Sequence, residues 1–101
     1  MKNSAKTAIL LDTKDNVATL ICDAKRDDSV RIKDAAETLR IVEDIGFGHK
    51  AALTAICDGE AIVKFGEKIG IATRNINPGE WVHLHNIKSC VDPEFQKRLT
   101  E

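Results

Sequence analysis

Two of the three histidines in this 101-residue chain, His83 and His85, stand two residues apart in the run Gly79-Glu80-Trp81-Val82-His83-Leu84-His85-Asn86. The run reads as a β-strand, in which successive side chains point to opposite faces, so Trp81, His83 and His85 share one face while Val82 and Leu84 share the other. The two histidine Cα atoms then lie about 6.6 Å apart, twice the strand rise, and their imidazoles can lean together over one metal ion or one anionic group. Imidazole binds zinc, iron, copper and nickel, and it moves protons near neutral pH. The same spacing also fits an exposed polar face lying over a core made by Val82 and Leu84, and the motif alone does not choose between them. Cys90, five residues beyond His85, has the chemistry of a third ligand, although a loop or core cysteine is the plainer reading.

The elements that would position this pair are short. Ala8-Ile9-Leu10-Leu11 and Val17-Ala18-Thr19-Leu20-Ile21 are apolar runs separated by the polar cluster Asp12 to Asn16, which predicts a hairpin. From Val30 to Ile45 the pattern is ambiguous. Ile32, Ala35, Ala36, Leu39 and Val42 fit helical spacing, whereas Val30 with Ile32 and Leu39 with Ile41 fit two strands separated by Lys33 to Glu37. Gly46-Phe47-Gly48-His49-Lys50-Ala51 formally matches G-x-G-x-x-A. A dinucleotide site needs a long crossover helix after it, and Asp58-Gly59 interrupts too soon, so that reading is rejected.

The second half contains an internal echo. Ala55-Ile56-Cys57-Asp58-Gly59-Glu60-Ala61-Ile62-Val63 has the layout of Asn75-Ile76-Asn77-Pro78-Gly79-Glu80-Trp81-Val82-His83: an isoleucine, a two-residue turn, Gly-Glu, then a strand. Between the two, Phe65 to Ala72 reads as strand, tight turn and strand, with Gly70 allowing close backbone approach. Many short strands with turn signals between them predict an all-β, loop-rich module. Asp92-Pro93 resembles an N-cap followed by proline at the first helical position, which predicts a short C-terminal helix.

Composition narrows the function classes. Apolar residues make up 43% and charged residues 31%, the balance of one ordinary globular domain, ending in a polar tail at 89–101. Fifteen basic residues against sixteen acidic ones leave a net charge of -1, so neither a nucleic-acid backbone nor an anionic membrane finds an electrostatic footprint. Three Phe, one Trp and no Tyr cannot build stacking platforms for single strands. No apolar run approaches bilayer length, and the start of the chain lacks the form of a signal peptide, so a cytoplasmic protein without membrane partners is expected. Cys22, Cys57 and Cys90 are widely spaced and in no CxxC arrangement, which predicts reduced thiols, with Cys22 and Cys57 as small core residues.

Taken in order, Gly48-His49-Lys50 with Ala52-Leu53, Gly59-Glu60, Lys64-Phe65-Gly66, Ile69-Gly70-Ile71-Ala72, Gly79-Glu80 and Val82-His83-Leu84-His85-Asn86 resemble the small N-terminal module of the altronate and galactarate dehydratase family. The resemblance covers roughly residues 8–88 and implies a SAF domain with the β-clip fold. It therefore favours an all-β core over about residues 8–88 with the stretch from Leu39 to Ile45 extended and not helical. The His-x-His-Asn ending looks like the altronate branch and the related small subunit of sulfolactate sulfo-lyase, whereas the galactarate branch lacks that pair. Trp81 stands where altronate members usually have a third histidine, and Phe65 where they usually have tyrosine.

The reaction this resemblance implies is elimination of a group β to the carboxylate of a sugar acid, with a divalent metal, Fe2+ or Mn2+. Such chemistry needs a base for the α proton, a cation for the enolate-like charge and an acid for the departing hydroxyl. Carried over by position, His83 and His85 would be catalytic acid–base residues or metal ligands, and His49 and Lys50 would bind the substrate. Taken by itself, Gly48 to Lys50 is equally a solvated surface turn. Members of the family carry a much larger catalytic domain after this module, which implies either one domain of a longer enzyme or a small subunit working with a large one, with room for a homo-oligomer. SAF modules also serve as binding or assembly domains without chemistry of their own.

Overall fold

The computed structural model describes residues 6–33, 35 and 37–89 and is all-β. The described strands are β1 (Thr7–Ile9), β2 (Val17–Leu20), β3 (Ser29–Lys33), β4 (Thr38–Arg40), β5 (Lys50–Ala52), β6 (Ala61–Lys64), β7 (Glu67–Ala72), β8 (Trp81–Val82) and β9 (Ile87–Ser89). Six of them form one sheet in the order β4-β3-β1-β2-β5-β8, and three form a second in the order β6-β7-β9. The curled sheets make the half-barrel expected of a β-clip. The predicted C-terminal helix and Cys90 lie outside the described residues.

The hairpin forms as expected, with Ala8 opposite Leu20 and Ile9 opposite Thr19. The ambiguous stretch resolves into strands. Val30 pairs with Leu39, and Val30, Ile32 and Leu39 turn inward while Arg31, Lys33 and Thr38 face water. Period-two burial of this kind is available only to an extended chain, so tertiary pairing overrides the helical spacing.

The core has two parts. Ala8, Leu20, Val30, Ile32, Ile41 and Ile45 with their neighbours fill one, and Val17, Ala52, Ile56, Ile62, Ile76 and Val82 fill the other. Each fully buried Val, Leu or Ile side chain contributes about 1.5–3 kcal/mol relative to exposure. Polar side chains tie the sheets together. Asn16 accepts from the Val63 N–H at 2.8 Å and donates to the Ala61 carbonyl at 2.9 Å, and the Asp15 carboxylate accepts from both the Phe65 and Gly66 N–H groups at 2.8 Å. That second contact holds Phe65 at φ 60°, in the left-handed region that non-glycine residues resist. Gly70 does lie against backbone, since a Cβ there would sit 2.7 Å from the Lys88 carbonyl.

The echo in the sequence extends to four turns. Ala24, Ile45, Ile56 and Ile76 are buried and bridge in pairs, Ala24 with Ile45 and Ile56 with Ile76. Three residues beyond each comes a positive φ: Asp27 at 75°, Gly48 at 85°, Gly59 at 89° and Gly79 at 85°. One residue further, an N–H closes each turn onto the carbonyl three residues back: Asp28 onto Lys25, His49 onto Gly46, Glu60 onto Cys57 and Glu80 onto Asn77, at 2.9–3.1 Å. Each turn launches a strand, namely β3, β5, β6 and β8. Partner turns also exchange side-chain bonds. Asp23 accepts from the Phe47 N–H, Asp44 from the Arg26 N–H and Asn75 from the Asp58 N–H. Ala55, which has no acceptor, faces the equivalent position in Pro78, which has no donor. One expectation fails here. Cys57 is exposed at a turn tip and Cys22 is only half-buried, because the turn backbone, and not the apolar company in sequence, decides which side chains go inside.

Candidate functional site

β5 and β8 run antiparallel, with Lys50 opposite Val82 and Ala51 opposite Trp81. Continuing that register places His49 opposite His83 at the end of the ladder. Their rings meet edge to face, with centroids 5.3 Å apart. Trp81 completes the group. It stacks on His83 at 5.1 Å with the planes 9° apart, meets His49 edge-on at 5.4 Å, and contacts His85 at 4.9 Å. The indole N–H donates to His49 Nδ1 at 3.2 Å.

The route by which His83 and His85 converge differs from the expected one. The strand ends at Val82, and residues 83–86 form a turn closed by the Asn86 and Ile87 N–H groups, both donating to the His83 carbonyl. Leu84, expected inside, is 74% exposed at the tip of this turn, and His85 swings back onto Trp81. Asn86 is the physical cause. Its fully buried side chain accepts from the His83 N–H at 2.9 Å and donates to the Trp81 carbonyl at 2.8 Å, capping groups that a longer strand would have paired. Sequence reasoning quoted Asn86 in the motif but gave it no role. An asparagine directly after a strand-like run is the turn signal that was available. On the other side of Trp81, the Glu43 carboxylate accepts from its N–H at 3.0 Å.

His49, His83 and His85 therefore meet around Trp81 at one end of the β5–β8 ladder, while Lys50 stands at the same end opposite Val82, on the alternate face of the strand. Burial lowers the His83 pKa from its ordinary value of 6.5, and His49, Lys50 and His85 nearby push the same way, which favours the neutral form of His83. Burial also lowers the Lys50 pKa, with Lys64 adding repulsion. Because an indole nitrogen only donates, the Trp81 bond occupies the Nδ1 lone pair of His49 and leaves its proton on Nε2. The site thus offers an N–H donor at His49, a cation at Lys50 and a neutral imidazole at His83.

The donor set by itself does not complete a site for the divalent metal that the resemblance implies. Among the described residues, no three His, Cys, Asp or Glu side chains are placed to hold one ion. The Trp81 indole is no ligand, and it engages His49 Nδ1. His83 and His85 supply two imidazoles, which is not a closed coordination shell.

An all-β module with an imidazole cluster at a strand end is what these elements define. Residues 6–90 match the altronate/galactarate dehydratase SAF domain, and the chain belongs to that family. It is similar to altronate dehydratase of Bacillus subtilis, 34% identical over 84 residues, covering 83% of this chain and 16% of that protein. Similarity to altronate dehydratase of Escherichia coli is 37% over 90 residues, covering 89% of this chain and 18% of that protein. It also resembles the (2R)-sulfolactate sulfo-lyase subunit alpha of Paracoccus pantotrophus, 41% identical over 46 residues, covering 46% of this chain and 69% of that subunit. The chain thus spans less than a fifth of the altronate dehydratases it matches. No helix among the described residues is long and apolar enough to cross a membrane.

Proposed function

We propose that this chain is the SAF part of an altronate dehydratase-like hydro-lyase of carbohydrate metabolism, completing an active site at its contact with a much larger catalytic domain or subunit in the cytoplasm. The observation that carries this reading is the convergence of His49, His83 and His85 around Trp81, with Lys50 next to His49 in sequence, on a module of the dehydratase family. Elimination of water β to a carboxylate needs the carboxylate held, the α proton removed and the leaving hydroxyl protonated. His49 Nε2–H and the Lys50 ammonium hold the carboxylate. His83, whose neutral form is favoured, accepts a proton, and exposed His85 exchanges protons with the departing hydroxyl. Were Fe2+ or Mn2+ bound here instead, it would supply Lewis-acid stabilisation of enolate-like charge, with His83 and His85 then serving as ligands in place of their acid–base roles and the remaining ligands coming from the large part.

A second reading, the small subunit of a sulfolactate sulfo-lyase, is favoured by the 69% coverage of that subunit. The two readings share the site and differ in the leaving group. The third is a sugar-acid-binding or assembly module without chemistry. Assay of the reconstituted large and small parts on altronate and on (2R)-sulfolactate, with metal analysis of each part, decides among them. Turnover of altronate only by the assembled enzyme supports the first, and wild-type kinetics with His83→Ala and His85→Ala leaves the third.

A further inference from the structure

The four interlocked turns share one backbone geometry but differ in one hydrogen bond. In three of them the first N–H of the turn is held by a carboxylate three residues on. The Lys25 N–H donates to Asp28 at 2.8 Å, the Cys57 N–H to Glu60 at 2.6 Å and the Asn77 N–H to Glu80 at 2.5 Å. In the fourth turn the equivalent residue is His49. The backbone there is unchanged: the Gly48 N–H donates to the Leu20 carbonyl as Asp27, Gly59 and Gly79 donate to Ile41, Ala72 and Ala52, and the His49 carbonyl accepts from the Leu20 N–H as Asp28, Glu60 and Glu80 accept from Ile41, Ala72 and Ala52. The Gly46 N–H is therefore aimed where its three counterparts are aimed. Among the described residues it has no partner, because the His49 ring is engaged by Trp81 instead.

We infer that the turn at residues 45–49 takes a carboxylate from its ligand, in the place that the other three turns fill with a carboxylate of their own. Two donors face that place. One is the exposed Gly46 N–H, and the other is His49 Nε2–H, whose ring lies beside Gly46 with Cδ2 3.5 Å from where a Gly46 Cβ would stand. Gly46 has no side chain of its own to cover the place. Asp23 is nearby, but its carboxylate accepts from the Phe47 N–H, and the partner turn holds Asp28 and Asp44 together in the same arrangement. A second carboxylate is thus compatible with this geometry. Lys50, next in sequence, adds positive charge. The inference rests on the proposed sugar-acid chemistry for its ligand class, and it adds a backbone donor that the imidazole cluster alone does not include.

The test is amide NMR of the full chain titrated at constant ionic strength with glycerate, a short hydroxy acid, and with glycerol as the uncharged control. The Gly46 amide proton is expected to move downfield and saturate with glycerate, and to stay in place with glycerol. His49→Glu restores the self-capped pattern of the other turns. It is expected to raise Tm while weakening glycerate binding about tenfold or more, as loss of a charge-assisted hydrogen bond predicts. A Gly46 amide unmoved by glycerate overturns the inference, as does a folded His49→Glu chain that binds glycerate as before. A Gly46 shift caused by adding the large catalytic part, with no further change on adding the sugar acid, overturns it too, since the carboxylate is then a partner side chain. These readouts require no turnover, so they can fail while the proposed reaction stands, and the reverse.

Discussion

The indole of Trp81 and the imidazole of His49 form a one-way pair: Nε1–H donates to Nδ1 at 3.2 Å, and the His49 proton is thereby held on Nε2. Trp81→Phe keeps an aromatic ring against His83 but deletes the donor. The expected result is a His49 whose two ring 15N resonances move toward a mixed-tautomer average, with substrate affinity falling about 2- to 10-fold, the worth of one hydrogen bond. Unchanged 15N resonances would mean that the bond does not select the tautomer.

His83 carries a pH signature. Its pKa is lowered on folding, so between that lowered value and 6.5 the unfolded chain binds more protons than the folded one. Stability therefore falls as the pH drops through 6.5 toward the folded value, and becomes insensitive to this group below it. His83→Gln should flatten that part of the profile in denaturant titrations at pH 5 to 7, and in the parent the His83 ring proton should titrate below 6.5 by NMR. A His83 titrating above 6.5 would contradict the burial and crowding described.

Asn86 holds the turn that brings His85 back. Asn86→Ala leaves the His83 N–H and the Trp81 carbonyl without their side-chain partner at a fully buried position. The expected cost is about 1–3 kcal/mol of stability, from groups stripped of a buried partner. Loss of ring-current shifts between His85 and Trp81 should accompany it. Full retention of both stability and those shifts would show that the turn holds without the asparagine.

Much of the fold was legible because its signals are local. The hairpin followed from apolar runs on either side of Asp12 to Asn16, and the Gly-Glu echo exposed two of the four turns. The first turn was hidden because Asp27 replaces glycine at the positive φ, and the turn at Gly48 was read as a turn but not as a copy of the others, since His49 stands where the Gly-Glu echo has glutamate. For the candidate site, the residues were named from the sequence but their arrangement was not. Strand alternation brought His83 beside Trp81 correctly, yet it sent Leu84 inward, because a strand that stops at Val82 is decided by a buried asparagine and not by apolar spacing. The role of Trp81 was illegible for a different reason. Its hydrogen bond to His49 spans 32 residues and depends on the β5–β8 register.

Lys50 is a lysine whose ammonium is partly stripped of water beside another positive charge, so its protonated form is disfavoured by the fold. Replacement by methionine should leave stability at pH 7 equal or higher, and in the assembled enzyme it should raise KM more than it lowers kcat, as expected of a group that holds the carboxylate in ground and transition states alike. A loss confined to kcat would instead assign Lys50 to the chemical step.

The most direct test of the account is turnover of altronate by the reconstituted large and small parts with His83→Ala and His85→Ala, each variant first shown to be folded by its amide spectrum. The account predicts negligible turnover by this chain alone, robust turnover by the parent assembly, and a fall in kcat of about 100-fold or more in each variant, the scale of a lost general acid or base. Parent-like kcat in both variants, or robust turnover by this chain without its large partner, would contradict it.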